Sequence, residues 1–471
     1  MAKNLTSKDK ALKVNLDSTI YGSFAEIGAG QEVARTFFQA GAGAGTIAKS
    51  MSAYDMAMSD AIYGKERSGR YVCEERLQKM LKKEFGILNE RLIGDKYNKT
   101  KFFVFADTVA TTAFGSTGSG HGWIGVRFQT EVGGEANEIR LHVIMHDNQN
   151  YLQQEAVGIL GTNLIHACFY HFDSREIFIS RLVDNLTAQR VEIEMIEVEG
   201  SAFNAEDARL LNLELIKKEY SQGMIFDENG RIHSPSEVLY KKIPMVLRGS
   251  FRPPTHVNFD MIKEGEKTLK STIDKKLHKS IIVLPEISMA KLLKRGKVDN
   301  EDFLTRVDLL AALGQKVFVT NKTSFFDLNS YLMSLTKEHV FFVAGIYNLE
   351  NIFEPNVYKY HSHGMIMGLG ELFSRRTKVL VYPGLDEKTK EMRTAETFNV
   401  HPDVEILRQY LLSSNQLIDI KEFNKEYFTI WSREVVKMIE NCEPGWEKMV
   451  PKLVEKCVKE NSLFGHFCKI K

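Results

Sequence analysis

Cysteine is scarce in this chain: its 471 residues include only five. No two of them form a C-x-x-C pair, which argues against a redox motif of that kind and against a Cys-rich zinc site. An odd, scattered set is typical of reduced thiols rather than of a disulfide framework. We therefore expect a cytoplasmic protein whose cysteines are all free: Cys73, Cys168, Cys442, Cys457 and Cys468.

Long apolar runs are also missing. No stretch approaches the length of about 18 uninterrupted apolar residues that a membrane-spanning helix needs. Residues 1–22 are polar and lack the apolar centre of a secretory signal peptide. Both absences favour cytoplasmic localisation and predict no membrane partner.

An excess of charge of one sign is absent as well, since 62 basic residues face 61 acidic ones. General nucleic-acid binders carry a basic excess, so no nucleic-acid partner is expected. A net charge near zero favours association. Two clusters of small residues, Gly28–Gly30 and Gly41–Gly45, lie beside helices predicted at 31–40 and 46–62 and permit close packing. Together these features predict a homo-oligomer.

The first half of the chain mixes predicted helices and strands without regular order. Residues 1–20 are polar and predict a loose arm. Strands are predicted at 101–107, 123–128, 138–145 and 190–197, the last with one face in solvent because polar and apolar residues alternate. We interpret residues 1–235 as an α+β domain of unknown role that ends in a turn-rich connector at 227–235.

The second half alternates continuous apolar runs with amphipathic stretches. Strands are predicted at 243–248, 280–284, 316–320, 339–344 and 378–382, with helices at 255–270, 302–313, 325–337 and 363–374. This alternation is typical of a parallel sheet with helices on both faces. We therefore predict an α/β protein whose residues 236–390 form a doubly wound, Rossmann-like domain, followed by a helical extension at 391–471.

The strongest motif follows the first of these strands and reads Gly249-Ser-Phe-Arg-Pro-Pro-Thr-His-Val-Asn258. A glycine at a strand end lets the backbone approach a phosphate, and the start of the next helix offers free N–H groups and a partial positive charge. Cationic or donor groups nearby are Arg248, Arg252, His256 and Lys263. Glu286 and Asn321 follow neighbouring predicted strands, at the sheet edge where ligands bind.

This segment resembles the signature of the nucleotidylyltransferase superfamily, in particular mononucleotide adenylyltransferases, whose pattern is roughly G-x-F-x-P-x-[H/T]-x-x-H. Gly249, Phe251, Pro253 and Thr255 match, whereas Asn258 occupies the place of the second histidine. The resemblance implies a nucleotide or other phosphate-bearing small molecule as partner, with ATP and Mg²⁺ if the chain transfers adenylyl groups. The implied catalytic residues are Thr255 and His256, and the implied nucleotide-binding residues are Gly249, Ser250, Phe251, Arg252, Asn258 and Glu286.

A late phosphate motif of that family is not matched by the nearest segment, 373–378, although Arg375 and Arg376 there could still meet an anionic ligand. The whole chain is also similar to an uncharacterised bacterial family. Three hypotheses remain open: an adenylyl-transferring enzyme, a non-catalytic nucleotide sensor, and a self-assembling structural protein. A metal site among His121, His142, His146 and Asp147 is a weaker alternative, and no metal ligands are assigned.

Overall fold

The computed structural model describes residues 5–467 except 68, 93–97, 114, 116–118, 205–206, 295–296, 360–363 and 387–388. The chain divides into an N-terminal unit, Met1–Gln222, and a C-terminal unit, Gly223–Lys471. None of the described helices is both long enough and apolar enough to cross a membrane.

The N-terminal unit is built on a six-stranded sheet of order β2-β1-β3-β4-β5-β6. Its strands are β1 (Ile20–Gly28), β2 (Ile47–Ala53), β3 (Lys101–Ala110), β4 (Gly120–Gln129), β5 (Ala136–Met145) and β6 (Val191–Glu199). Its helices are α1 (Ser7–Asn15), α2 (Glu32–Ala40), α3 (Met56–Tyr63), α4 (Glu74–Arg91), α5 (Asn150–Tyr170), α6 (Arg175–Leu182) and α7 (Asp207–Lys217). Strand β1 is parallel to β2 and β3, and the remaining pairs are antiparallel.

Three predictions for this unit are wrong. The predicted loose arm contains α1, whose buried Lys10 bonds to Asn163 and Asp184. The helix predicted at 46–62 is the strand β2 followed by α3. Strand β6 has no solvent face along its first six residues, because its glutamates are held by polar partners: Glu194 contacts His142.

The C-terminal unit contains an eight-stranded sheet and two sheets of two short strands each. Its strands are β7 (Gly223–Phe226), β8 (Ile232–His233), β9 (Ile243–Arg248), β10 (Ile281–Ser288), β11 (Leu293–Lys294), β12 (Lys297–Val298), β13 (Val317–Thr320), β14 (Val340–Gly345), β15 (Thr377–Tyr382), β16 (Gly384–Leu385), β17 (Met392–Arg393) and β18 (Leu417–Asp419). Its helices are α8 (Pro235–Val238), α9 (His256–Thr272), α10 (Met289–Leu292), α11 (Asn300–Ala312), α12 (Phe325–Leu335), α13 (Ile346–Ile352), α14 (Gly364–Leu372), α15 (Glu405–Ser413), α16 (Ser432–Glu440) and α17 (Lys452–Glu460).

Strand order in this sheet is β18-β15-β14-β9-β10-β13-β7-β8. The six strands from β18 to β13 are parallel, and β7 and β8 add an antiparallel edge. We number the six parallel strands by their order in the chain, from β9 as 1 to β18 as 6. Read across the sheet from β13 to β18, the order is then 3-2-1-4-5-6, as in a doubly wound, Rossmann-like sheet. The predicted α/β fold class is therefore confirmed. Strand order reverses between β9 and β14, and this switch point is where ligands bind in such sheets.

The cysteines depart from the sequence prediction at one position. Cys73, Cys168 and Cys457 are free, as expected. Cys442, however, is disulfide-bonded, so the prediction of five free thiols is wrong. Spacing along the sequence carries no information about which thiols the fold brings together. Cys468 lies outside the described residues.

Candidate functional site

The loop that joins β9 to α9 lies at the predicted place, beside the switch point of the sheet. Its first residue, Gly249, has no room for a side chain, because a Cβ there would lie 2.9 Å from the ring of Phe251. Phe251 is 1% exposed and adopts a φ of 45°. The space that the strand-end glycine leaves open is therefore occupied by a ring of the same loop.

Glu286, a predicted nucleotide contact, is a member of a buried ion pair. It lies within β10, directly opposite Arg248 of β9, and is fully buried. Its carboxylate accepts bonds of 2.7 and 3.1 Å from the Arg248 guanidinium and one of 2.6 Å from the hydroxyl of Thr320. Arg248 also donates to the carbonyls of Lys322 and Thr323. This network ties together the carboxyl ends of β9, β10 and β13.

Two charged residues of α11, Asp302 and Arg306, hold Arg252 and Ser250, and neither was identified from the sequence. The Nε of Arg252 donates to Asp302 Oδ1 over 2.6 Å, and Arg252 is 22% exposed. Asp302 also pairs with Arg306, whose Nη1 donates to the Ser250 carbonyl over 3.2 Å. Burial lowers the pKa of Arg306, and Asp302 opposes that shift. Helix α11 thus fixes the loop from one side.

Thr255 and Asn258 form a capping pair at the start of α9. The Asn258 Oδ1 accepts from the Thr255 backbone N–H over 2.9 Å and from the Thr255 hydroxyl over 3.0 Å. Thr255 is fully buried. Both side chains are therefore engaged in the first turn of the helix, where they satisfy backbone donors as helix caps do.

His256 is covered by the C-terminal segment, residues 423–467. Its backbone N–H donates to the carbonyl of Met449 over 3.0 Å, and its ring stacks on Tyr427 with centroids 5.4 Å apart. Burial lowers the pKa of His256, and a hydrogen bond to the backbone of Val450 opposes the shift. The same segment reaches Asp260, which accepts from the N–H of Asn424 over 2.9 Å.

The structure thus places all eight predicted site residues at one edge of the sheet. The side chains of Arg252, Thr255, Asn258 and Glu286 bond to one another or to neighbouring elements. The C-terminal segment was missed because residues 391–471 were predicted only as a helical extension. One signal could have drawn attention to it: four aromatic residues lie within nine positions, Phe423, Tyr427, Phe428 and Trp431.

The alternative metal site does not assemble. His142 bonds to Glu194 over 2.7 Å, His146 lies 3.5 Å from Glu192, and Asp147 pairs with Arg190. Within the part of the chain that the structure describes, one other group has ligand atoms close enough for a metal: Glu66, Cys73 and Glu75. Glu66 already pairs with Arg76 and Lys79.

No protein-family model and no curated protein matches this chain. Among solved structures, it is similar to a competence-damaged protein (CinA) superfamily protein from Enterobacter cloacae, with 12% identity, 38% of this chain and 95% of that chain covered, and a TM-score of 0.26. It is also similar to a candidate nicotinate-nucleotide adenylyltransferase from Vibrio parahaemolyticus, with 12% identity, 48% and 96% covered, and a TM-score of 0.21. Similarity this low leaves the fold to be judged from the sheet order.

Proposed function

We propose that the C-terminal unit is a non-catalytic nucleotide-binding module that takes a phosphate ester at the switch point between β9 and β14. The observation that carries this proposal is the strand order, which places the Gly249–Asn258 loop at that point. Arg252 remains partly exposed there and carries a guanidinium, the group best suited to phosphate; its Nε bonds to Asp302 and its Nη2 lies 3.8 Å from Glu440, so a phosphate would compete with these carboxylates.

Adenylyl transfer is not part of the proposal, because the residues that would assist it are engaged elsewhere. Asn258, which caps α9, occupies the position at which the family pattern has its second histidine. The ring of His256 is stacked on Tyr427, and the backbone N–H of His256 donates to the Met449 carbonyl. A nucleotide that uses the start of α9 must therefore displace this part of the C-terminal segment, so binding and opening of the segment are coupled.

Calorimetry on the full chain with ATP, NAD and nicotinate mononucleotide, with and without Mg²⁺, tests the proposal. Tyr427→Ala removes the ring stacked on His256, and loss of a ring contact of about 0.5–1.5 kcal/mol should tighten nucleotide binding roughly two- to thirteenfold. Tyr151→Ala, at an exposed tyrosine of α5, is the matched control and should leave affinity unchanged. Absence of binding at millimolar nucleotide refutes the module, and pyrophosphate release from ATP refutes its non-catalytic character.

A second candidate function, self-assembly, is favoured by the edge strand β2. Residues Ala48–Ser50 of this strand are exposed. Large exposed apolar side chains lie in and just before the neighbouring helices: Phe38, Tyr54, Met56 and Met58. The opposite edge strand, β6, is covered at Ile196, whose N–H and carbonyl both bond to the Asn212 amide.

An exposed edge strand is a template for pairing with another strand. Lysines often prevent this, but Lys49 is neutralised by the buried Glu84. We propose that a second copy pairs antiparallel across a two-fold axis at Ser50, which places Lys49 opposite Met51 rather than opposite its own copy. Light scattering should then give twice the 53.7 kDa chain mass. Ser50→Lys should yield the monomer by repulsion, and Ser413→Lys on α15 should not; a monomeric wild type refutes the interface.

A further inference from the structure

A pocket of about 230 Å³ lies beside α14 and α15 in the C-terminal unit. Its wall is mostly apolar and is formed by Ile366, Leu369, Phe373, Leu407, Tyr410 and Leu411. Three of these side chains, Leu369, Phe373 and Leu411, are buried. Apolar walls of this kind favour the hydrocarbon part of a ligand, because its burial removes apolar surface from water.

Two polar side chains at the same pocket are available to a ligand. Arg375 is exposed, and neither its guanidinium nor the hydroxyl of Tyr410 has a side-chain or backbone partner within the described ranges of the chain. Gln416, which also lines the pocket, is different, since its amide already donates to the carbonyls of Phe373 and Ser374 over 2.9 Å each. The available groups therefore comprise one cation and one neutral donor.

The pocket also has open space above the helix. A Cβ placed on Gly370 of α14 would meet nothing within 4 Å. Because Gly370 lines the pocket, we expect a larger side chain at this position to occupy part of it.

We propose that this pocket binds a medium-chain carboxylate, with the acyl chain against Leu369, Phe373 and Leu411 and the carboxylate at Arg375 and Tyr410. A guanidinium pairs with a carboxylate through directed, charge-assisted bonds. The small volume suits a single acyl chain rather than a protein helix. This site is separate from the loop at the start of α9, so the inference does not depend on the proposed nucleotide function.

Calorimetry on the full chain with hexanoate, heptanoate and octanoate tests the apolar part of the site. Each added methylene should strengthen binding about fourfold until the pocket is filled. Octylammonium has the same chain and the opposite charge, and it should bind at least about tenfold more weakly than octanoate. Octyl phosphate tests the head group, and stronger binding of octyl phosphate than of octanoate would overturn the carboxylate assignment.

Two variants locate the site. Arg375→Gln should weaken octanoate binding about tenfold by removing one charge-assisted bond. Gly370→Leu should abolish binding by filling the open space, and it should not unfold α14 because leucine favours the helix more than glycine does. Gly86→Leu, at a helical glycine of α4 with equal open space, is the control. No octanoate binding at millimolar concentration, or full binding by Gly370→Leu, would overturn the proposal.

Discussion

Arg248 and Glu286 face each other across the neighbouring strands β9 and β10, and two hydrogen bonds of 2.7 and 3.1 Å join the guanidinium to the carboxylate. Their side chains are 6% and 0% exposed. A buried pair of this kind does little for stability compared with apolar residues, but removal of one partner leaves the other charge buried without compensation.

Glu286→Gln should therefore lower the free energy of unfolding by about 3–5 kcal/mol, measured by urea denaturation. The control is Glu422→Gln, which removes an exposed partner of Lys267 and should leave stability nearly unchanged. If Glu286→Gln folded as stably as the wild type and lost only nucleotide affinity, the structural role of the pair would be wrong.

A second pair, Glu26 and Asp107, lies at directly paired positions of the parallel strands β1 and β3, buried beside the start of α2. Burial raises the pKa of Glu26 to about 7, opposed by a bond from the N–H of Ala34 and assisted by the charge of Glu32. Burial and then the neighbouring Glu26 raise the pKa of Asp107 well above its usual value. The folded state therefore binds more protons than the unfolded chain.

Because both pKa values are raised on folding, the two carboxyl groups contribute their full stabilisation below about pH 4, where they are protonated in the unfolded chain as well. This contribution is lost as the pH rises through the raised pKa values. For Glu26 the shift from 4.5 to about 7 corresponds to roughly 3 kcal/mol, lost mainly between about pH 4.5 and 7. Glu26→Gln and Asp107→Asn should flatten this part of the stability profile, measured by denaturation at a series of pH values. Glu90→Gln, on the exposed side of α4, should not; an unchanged slope in Asp107→Asn would contradict the argument.

The parallel strands of the C-terminal unit could be predicted from the sequence because they are buried on both faces. The predicted strands at 243–248 and 378–382 match β9 and β15 to within one residue. Continuous apolar runs identify such strands without any tertiary information. Strand β18 was missed, since it has only three residues and lies in a mainly polar stretch.

The candidate site was predicted in position but not in its contacts. The loop after β9 follows from the glycine and the helix start, both of which are local. The bonds of Arg252 to Asp302 and of His256 to Met449 join residues 50 or more positions apart, and no pattern along the chain specifies them. In α1 the polar sequence gave no sign that Lys10 is buried, because its partner Asp184 lies 174 positions away along the chain.

Gly30 gives a prediction about the small-residue cluster before α2. A Cβ at this position would lie 2.1–2.4 Å from the carboxyl group of the buried Asp107, so Gly30→Ala should cost about 1–3 kcal/mol through overpacking. Gly86→Ala, inside α4 with nothing within 4 Å of the new Cβ, should instead stabilise by about 0.5–1 kcal/mol. Thermal unfolding measures both, and equal melting temperatures for the two variants would contradict the packing argument.

Asn258 occupies the position of the second histidine in the family signature that this motif resembles. The side chain of Asn258 caps α9. Because Oδ1 accepts from both the N–H and the hydroxyl of Thr255, Asn258→His should destabilise the protein by about 0.5–2 kcal/mol, as the loss of a cap does. Asn258→Asp keeps the acceptor and adds a negative charge at the helix start, so it should be neutral or stabilising by about 0.3–1 kcal/mol. Denaturation of both variants tests the cap.

The same histidine variant also tests why the site would be silent. We expect no pyrophosphate from ATP with Asn258→His, because the ring of His256 remains stacked on Tyr427 and the backbone N–H of His256 remains bonded to the Met449 carbonyl. Combining Asn258→His with Tyr427→Ala removes the stacked ring as well and separates the two obstacles. Pyrophosphate release by the single variant would show that the capping amide alone suppresses transfer, whereas release only by the double variant would show that the C-terminal segment suppresses it as well.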